Sequence, residues 1–202
     1  MSPIIVCLDL MGTLLADPYR AAIRAATDRP LHDVAARRDP AAWPAFERGE
    51  IDERAFAERF FPDGSTFDLA TFHRVRRAGY RFLPGMRDLL EELGPRVRCV
   101  GATNYPVWVD EVAARFGLAR WLEEIWASCR IGVRKPDEAF YRRMLDDLDV
   151  EPWECLFIDD REINCDAAER LGMRAHRFSG VEGLRERLHA EGLLDGATEL
   201  LA

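Results

Sequence analysis

The chain is 202 residues long, 48% hydrophobic and 32% charged, with a formal net charge of -8. That length is enough to bury a sizeable core, either as one domain or as one domain carrying an insertion. The acidic balance excludes an extended nucleic-acid or anionic-membrane surface, which needs a basic patch to displace counterions, so a small molecule or another protein is the expected partner.

The first predicted element is a buried strand at residues 4–8, which stops on a carboxylate, Asp9, followed by Met11, Gly12 and Thr13. Residues 16–80 carry helical spacing in "DPYRAAIRAATD", "IDERAFAERFF" and "LATFHRVRRAGY" without a convincing strand, which predicts an all-helical insertion. Beyond it, predicted helices at 86–93, 107–116, 137–148 and 163–171 alternate with strands at 97–102, 125–129 and 155–158 and a weaker strand at 174–178. Proline near helix starts and glycine just past helix ends (Gly94, Gly117, Gly172) supply the expected punctuation. The strands are nearly continuous apolar runs, as required when helices cover both faces of a parallel sheet. The expectation is therefore an α/β fold. Residues 1–15 and 81–202 form a Rossmann-like, doubly wound parallel sheet, and residues 16–80 form a helical cap over its C-terminal edge, where open α/β sheets bind ligands.

The five cysteines, Cys7, Cys99, Cys129, Cys155 and Cys165, show no C-x-x-C pair, and four fall in predicted strands. They read as small apolar core residues in a reducing compartment. The first apolar run meets Asp9 within a few residues, so neither a signal peptide nor a membrane span fits, and the expected location is cytoplasmic. Of the 28 Lys and Arg side chains only one is lysine, Lys135. In a chain that writes its other cations as arginine, a lone lysine marks a place for a compact point charge.

Four features fall at the C-terminal ends of predicted strands: Asp9 with Gly12 and Thr13; Thr103 and Asn104; Lys135 in "GVRKPD"; and Asp159 and Asp160 with Asn164 close behind. Three crowded carboxylates repel one another unless a cation joins them, and hard oxygen ligands suit Mg²⁺. A magnesium ion, Lys135, the Thr103 hydroxyl and backbone N–H groups after Asp9 together form an environment for a phosphoryl group.

"DLMGT", "ATN", "GVRKPD" and "FIDDREINCDAAERLGM" resemble, in order, the four motifs of the haloacid dehalogenase (HAD) superfamily. The likeness is to members with a small helical cap, and "FERGEIDERAFAERF" is similar to cap helices in the branch of epoxide hydrolase N-terminal phosphatases and sugar-phosphate phosphatases. The resemblance implies that Asp9 is a nucleophile forming an aspartyl-phosphate. It implies that Asp9, the Met11 carbonyl and Asp160 hold Mg²⁺, with Asp159 a ligand or close outside the ligand shell. Thr103 and Lys135 would bind the transferring phosphoryl group, and Gly12, Thr13, Asn104 and Asn164 the substrate. The departure is Met11, which stands where the family's phosphatases usually carry a second Asp as general acid and base.

Three classes follow. The first is a Mg²⁺-dependent phosphatase acting on a small phosphorylated metabolite, whose leaving group needs little protonation or which borrows an acid from the cap; candidate donors are Asp17, Tyr19, His32, Glu50 and Asp52. The second is a non-phosphatase member of the superfamily, dehalogenase-like or a specialised biosynthetic enzyme. The third is a catalytically impaired protein that binds a phosphorylated metabolite. Trp43, Phe46, Phe56, Phe60 and Phe61 are candidates for a cap core or an apolar substrate pocket, and Arg20 and Arg48 for anion clamps.

Overall fold

The computed structural model describes residues 5–194. After strand β1 (Ile5–Leu8) come five helices: α1 (Tyr19–Thr27), α2 (Leu31–Arg37), α3 (Ala42–Glu47), α4 (Glu53–Arg59) and α5 (Leu69–Gly79). Then α6 (Met86–Leu93), β2 (Arg98–Thr103), α7 (Val109–Phe116), β3 (Ile125–Ala127) and a single helical turn, α8 (Ser128–Ile131), alternate along the chain. The series closes with α9 (Glu138–Leu148), β4 (Cys155–Asp159), α10 (Glu162–Arg170), β5 (Arg174–Arg177) and α11 (Val181–Ala190).

The five strands form one wholly parallel sheet in the order β3-β2-β1-β4-β5, so β1 lies at the centre with β2 and β4 on either side. Both faces are covered, and successive residues of each inner strand serve opposite sides. Val6, Leu8, Leu156 and Ile158 join the cluster that extends into the inserted helices, while Ile5, Cys7, Cys155 and Phe157 join the cluster under α9 and α10. This two-sided burial is why the strands read as continuous apolar runs.

The insertion between β1 and β2 leaves and returns at one place. Ala16 N donates to Arg81 O and Leu83 N to Leu14 O, both at 2.9 Å, and Leu15 bridges antiparallel to Phe82. Its interior is aromatic: Phe46 and Phe56 stack at 5.0 Å, and Phe60, Phe67 and Phe72 pack around Phe56.

Two details differ from the sequence reading. The strand expected at 125–129 ends at Ala127, because the buried Ser128 hydroxyl accepts from Tyr105 N at 3.0 Å and donates to Glu47 O, which turns the chain into α8. Cys129 therefore sits on a helical turn. Helix α11 was not expected; only Leu184 and Leu188 are buried on it, too sparse a stripe to stand out among charged neighbours. Residue 4 lies outside the described residues.

Candidate active site

The parallel register brings the ends of β1, β2 and β4 side by side, and Asp9 continues the alignment by donating its N–H to Ile158 O at 2.9 Å. Lys135 enters from the loop before α9 and is 1% exposed. Its ammonium donates to Asp9 Oδ1 at 2.8 Å, to Asp159 Oδ2 at 2.6 Å and to the Ala102 carbonyl. Burial disfavours the ammonium, but Asp159 and Asp9 outweigh that effect and hold its pKa above the usual lysine value.

Asn104, just past β2, fixes the lysine from behind. Its amide donates to Lys135 O and accepts from Lys135 N, both at 2.8 Å. Asp159, fully buried, accepts from Asn164 Nδ2 at 2.9 and 3.0 Å and from Arg161 N at 2.9 Å, besides the lysine. Both of its oxygens are thus occupied by donors.

Asp9, Asp159 and Asp160 each offer an oxygen within 4.8 Å of the others. One ammonium among three carboxylates leaves a negative excess. Burial pushes Asp9 up to about 7 against the pull of Lys135, and burial followed by Asp159 raises Asp160. A cluster of hard oxygens short of positive charge fits a divalent cation such as Mg²⁺, with Asp9 and Asp160 the carboxylates least committed elsewhere. Gly12 lets the backbone pass close to this cluster: its φ is +91°, and a Cβ there would stand 2.7 Å from Asp160 Oδ2.

A cavity of about 200 Å³ opens over this edge, lined by Asp9, Met11, Asn104, Lys135, Asp159, Asp160 and Asn164 from the sheet side. Gly12, Thr13 and Thr103 are not part of that lining, and the hydroxyls of both threonines are buried without a hydrogen-bond partner, as is Asn164 Oδ1. From the insertion come Asp17, Trp43 and Glu47, and Arg134 and Arg161 complete the wall. Of the aromatic candidates only Trp43 reaches the cavity; Phe46, Phe56, Phe60 and Phe61 are buried. Among the proposed donors, Asp17 lines it and Tyr19 packs against Trp43 with the rings tilted by 44° and their centroids 4.1 Å apart. His32 is exposed, Glu50 is paired with Arg48 at 2.6 Å, and Asp52 caps α4 through Ala55 N at 2.7 Å. Arg20 is exposed, so neither arginine candidate borders the cavity.

Sequence reasoning missed Glu47, Arg134 and Arg161. The available signal for Glu47 was its place four residues after Trp43, on one helix face.

A doubly wound sheet with a carboxylate–lysine cluster at its C-terminal edge and helices inserted after its first strand defines a phosphatase-like hydrolase. A family model for haloacid dehalogenase-like hydrolases matches residues 5–172, and the chain belongs to that family. Flavin mononucleotide hydrolase 1 of Arabidopsis thaliana is 36% identical over 190 residues, spanning 94% of this chain and 78% of that protein. Among solved structures, a HAD-like hydrolase from Porphyromonas gingivalis superposes with a TM-score of 0.74 at 23% identity, covering 93% of this chain and 98% of that one. A HAD-family enzyme from Bacteroides thetaiotaomicron, solved with magnesium and inorganic phosphate, gives 0.69 at 17% identity, covering 85% and 92%. No helix among the described residues is long and apolar enough to cross a membrane.

Proposed function

We propose that this hydrolase is a Mg²⁺-dependent phosphatase that cleaves a small phosphorylated metabolite through an aspartyl-phosphate on Asp9. The observation that carries the reading is the chain's single lysine, buried between Asp9 and Asp159 at the strand ends beside Asp160. Asp9, Asp160 and the Met11 carbonyl are the groups that would hold Mg²⁺. When bound, it would neutralise carboxylate charge and polarise a phosphoryl oxygen. Asp159, with both oxygens occupied, serves chiefly to orient Lys135, from just outside that ligand set.

Asp9 attacks phosphorus, dividing one difficult displacement into two easier ones. Lys135 holds the attacking carboxylate in place and offsets charge on the phosphoryl oxygens. The unpartnered hydroxyls of Thr103 and Thr13 supply further donors to that group, and Asn164 presents its free Oδ1 to the substrate. Asn104 acts through the lysine it positions. Residues 16–80 form the cap that closes over the phosphoryl site, with residues 5–15 and 81–194 as the core; residues 1–4 and 195–202 of the expected core lie outside the described residues.

The flavin mononucleotide hydrolase likeness supports an alkyl phosphomonoester with a flat apolar body, and Trp43 at the cavity wall provides a surface for one. The test is phosphate release from flavin mononucleotide and a panel of small phosphomonoesters with Mg²⁺, and its loss in Asp9→Asn or on chelation. Halide release from a 2-haloacid without metal, with no phosphate ester cleaved, overturns the reading. Mg²⁺-dependent binding of a phosphorylated metabolite with no turnover overturns it in favour of a binding protein.

A further inference from the structure

Release of an alkoxide leaving group needs a proton, and the thioether of Met11 has none to give. The wall facing the sheet edge holds a carboxyl group in its place. Glu47 ends α3, is 5% exposed, and lines the same cavity as Asp9 and Met11. Ser128 pins its backbone by donating to Glu47 O, so the side chain is carried on a fixed point. Its Oε2 is buried and accepts no hydrogen bond; the Arg134 Nη2 beside it, at 2.8 Å, forms an ion pair without hydrogen-bond alignment.

The charged surroundings of this carboxyl come from every side. Arg134, Arg161 and Lys135 are the cations facing it; Asp9, Asp159 and Asp160 form the opposite wall; Asp17 and Tyr19, the latter beside Arg38, border it on the insertion side. Burial dominates over Arg134, the Trp43 indole and the more distant Arg161 and Lys135, and pushes the Glu47 carboxyl up to about 7. A carboxyl poised there exchanges a proton readily near neutral pH.

We infer that Glu47 is the general acid and base of the reaction, supplying from the insertion what residue 11 lacks. In the first half, an Asp9 oxygen bonds to phosphorus while the phosphorus–oxygen bond to the leaving group breaks. The electron pair passes to the leaving oxygen, which takes the Glu47 proton and departs as an alcohol. In the second half, a water oxygen bonds to phosphorus as its proton passes to the Glu47 carboxylate. The bond from phosphorus to Asp9 breaks with its electron pair returning to Asp9, which leaves inorganic phosphate, an ionised Asp9 and a protonated Glu47.

This inference deepens the phosphatase reading and rests on it, and the two fail separately. Wild type, Glu47→Gln, Glu47→Asp and Asp9→Asn are compared on flavin mononucleotide, whose alkoxide needs protonation, and on p-nitrophenyl phosphate, whose phenolate does not. Glu47→Gln is expected to lower kcat on flavin mononucleotide by about 10²–10⁴-fold. On p-nitrophenyl phosphate it releases one equivalent of phenolate at near wild-type rate and then stalls as the phosphoenzyme. That burst also reports a folded site. Glu47→Asp, which keeps a carboxyl, retains a flavin mononucleotide rate above the Gln variant, and the fall in wild-type kcat/KM above about pH 7 disappears in Glu47→Gln. Equal loss of the phenolate burst, or an Asp variant no better than Gln, overturns the inference, as does wild-type turnover by Glu47→Gln while Asp9→Asn is inert. Turnover that survives Asp9→Asn overturns the phosphatase reading itself.

Discussion

The sheet edge and the inserted helices face each other across one cavity, and they are held together by different forces. The edge is built from charge: one lysine, three carboxylates and two asparagines, mostly buried and bonded to one another. The insertion is built from aromatic packing, with Phe46, Phe56, Phe60, Phe67 and Phe72 in mutual contact, and brings only a few polar groups to the cavity. Charged networks demand fixed geometry, because an unmatched buried charge is costly, whereas apolar packing tolerates repacking at similar volume. The edge is therefore suited to fix the nucleophile and the phosphoryl group, and the insertion, Glu47 apart, to set what reaches them.

Substitutions can break that division or sharpen it. Asp9→Asn is expected to lower turnover by on the order of 10⁴-fold or more, while phosphate-ester binding persists; steady-state kinetics with a binding isotherm checks both. Lys135→Met leaves Asp9 and Asp159 buried without their shared counter-charge, so a loss of about 3–5 kcal/mol is expected in denaturant unfolding. Phe56→Ala empties the centre of the aromatic cluster and costs about 3–4 kcal/mol in the same assay. If the two walls are independent, the fraction that stays folded keeps the rate of the phenolate burst on p-nitrophenyl phosphate.

The pH dependence of stability follows from Glu47, whose carboxyl is raised in the folded state to about 7 from an ordinary 4.5. A raised pKa favours folding fully below the unfolded value and loses that contribution as pH rises through about 7. Glu47→Gln removes the titration, so it melts higher than wild type at pH 8 by the equivalent of about 1–3 kcal/mol, and the gap closes near pH 4. Arg48→Ala breaks an exposed pair with Glu50 and changes stability by less than about 0.5 kcal/mol, with activity unaltered.

The sheet was legible because each inner strand is apolar on both faces, and Asp9, Lys135, Asp159 and Asp160 because each interrupts or follows such a run. What escaped was written in another period. Glu47 sits at a buried position of a six-residue helix, among the exposed acids of "FERGEIDERAFAERF", and only the tertiary placement of α3 against α8 turns it inward. Likewise, Phe46, Phe56, Phe60 and Phe61 carry helical spacing that suits a core or a pocket equally. Which of the insertion's aromatics reach the cavity is decided by the angle at which its helices meet the sheet edge, and local sequence does not encode that angle.

The solitary lysine also makes the molecule its own reporter. With every other cationic side chain an arginine, an amine-selective acylating reagent has a single side-chain target, and that target is almost wholly shielded from water. Acylation of Lys135 requires its ammonium to leave both carboxylates and lose a proton, so the labelling rate measures how often the charged edge comes apart. A ligand that secures the edge slows the modification, and protection at one residue then becomes a titration curve for whatever the cavity binds.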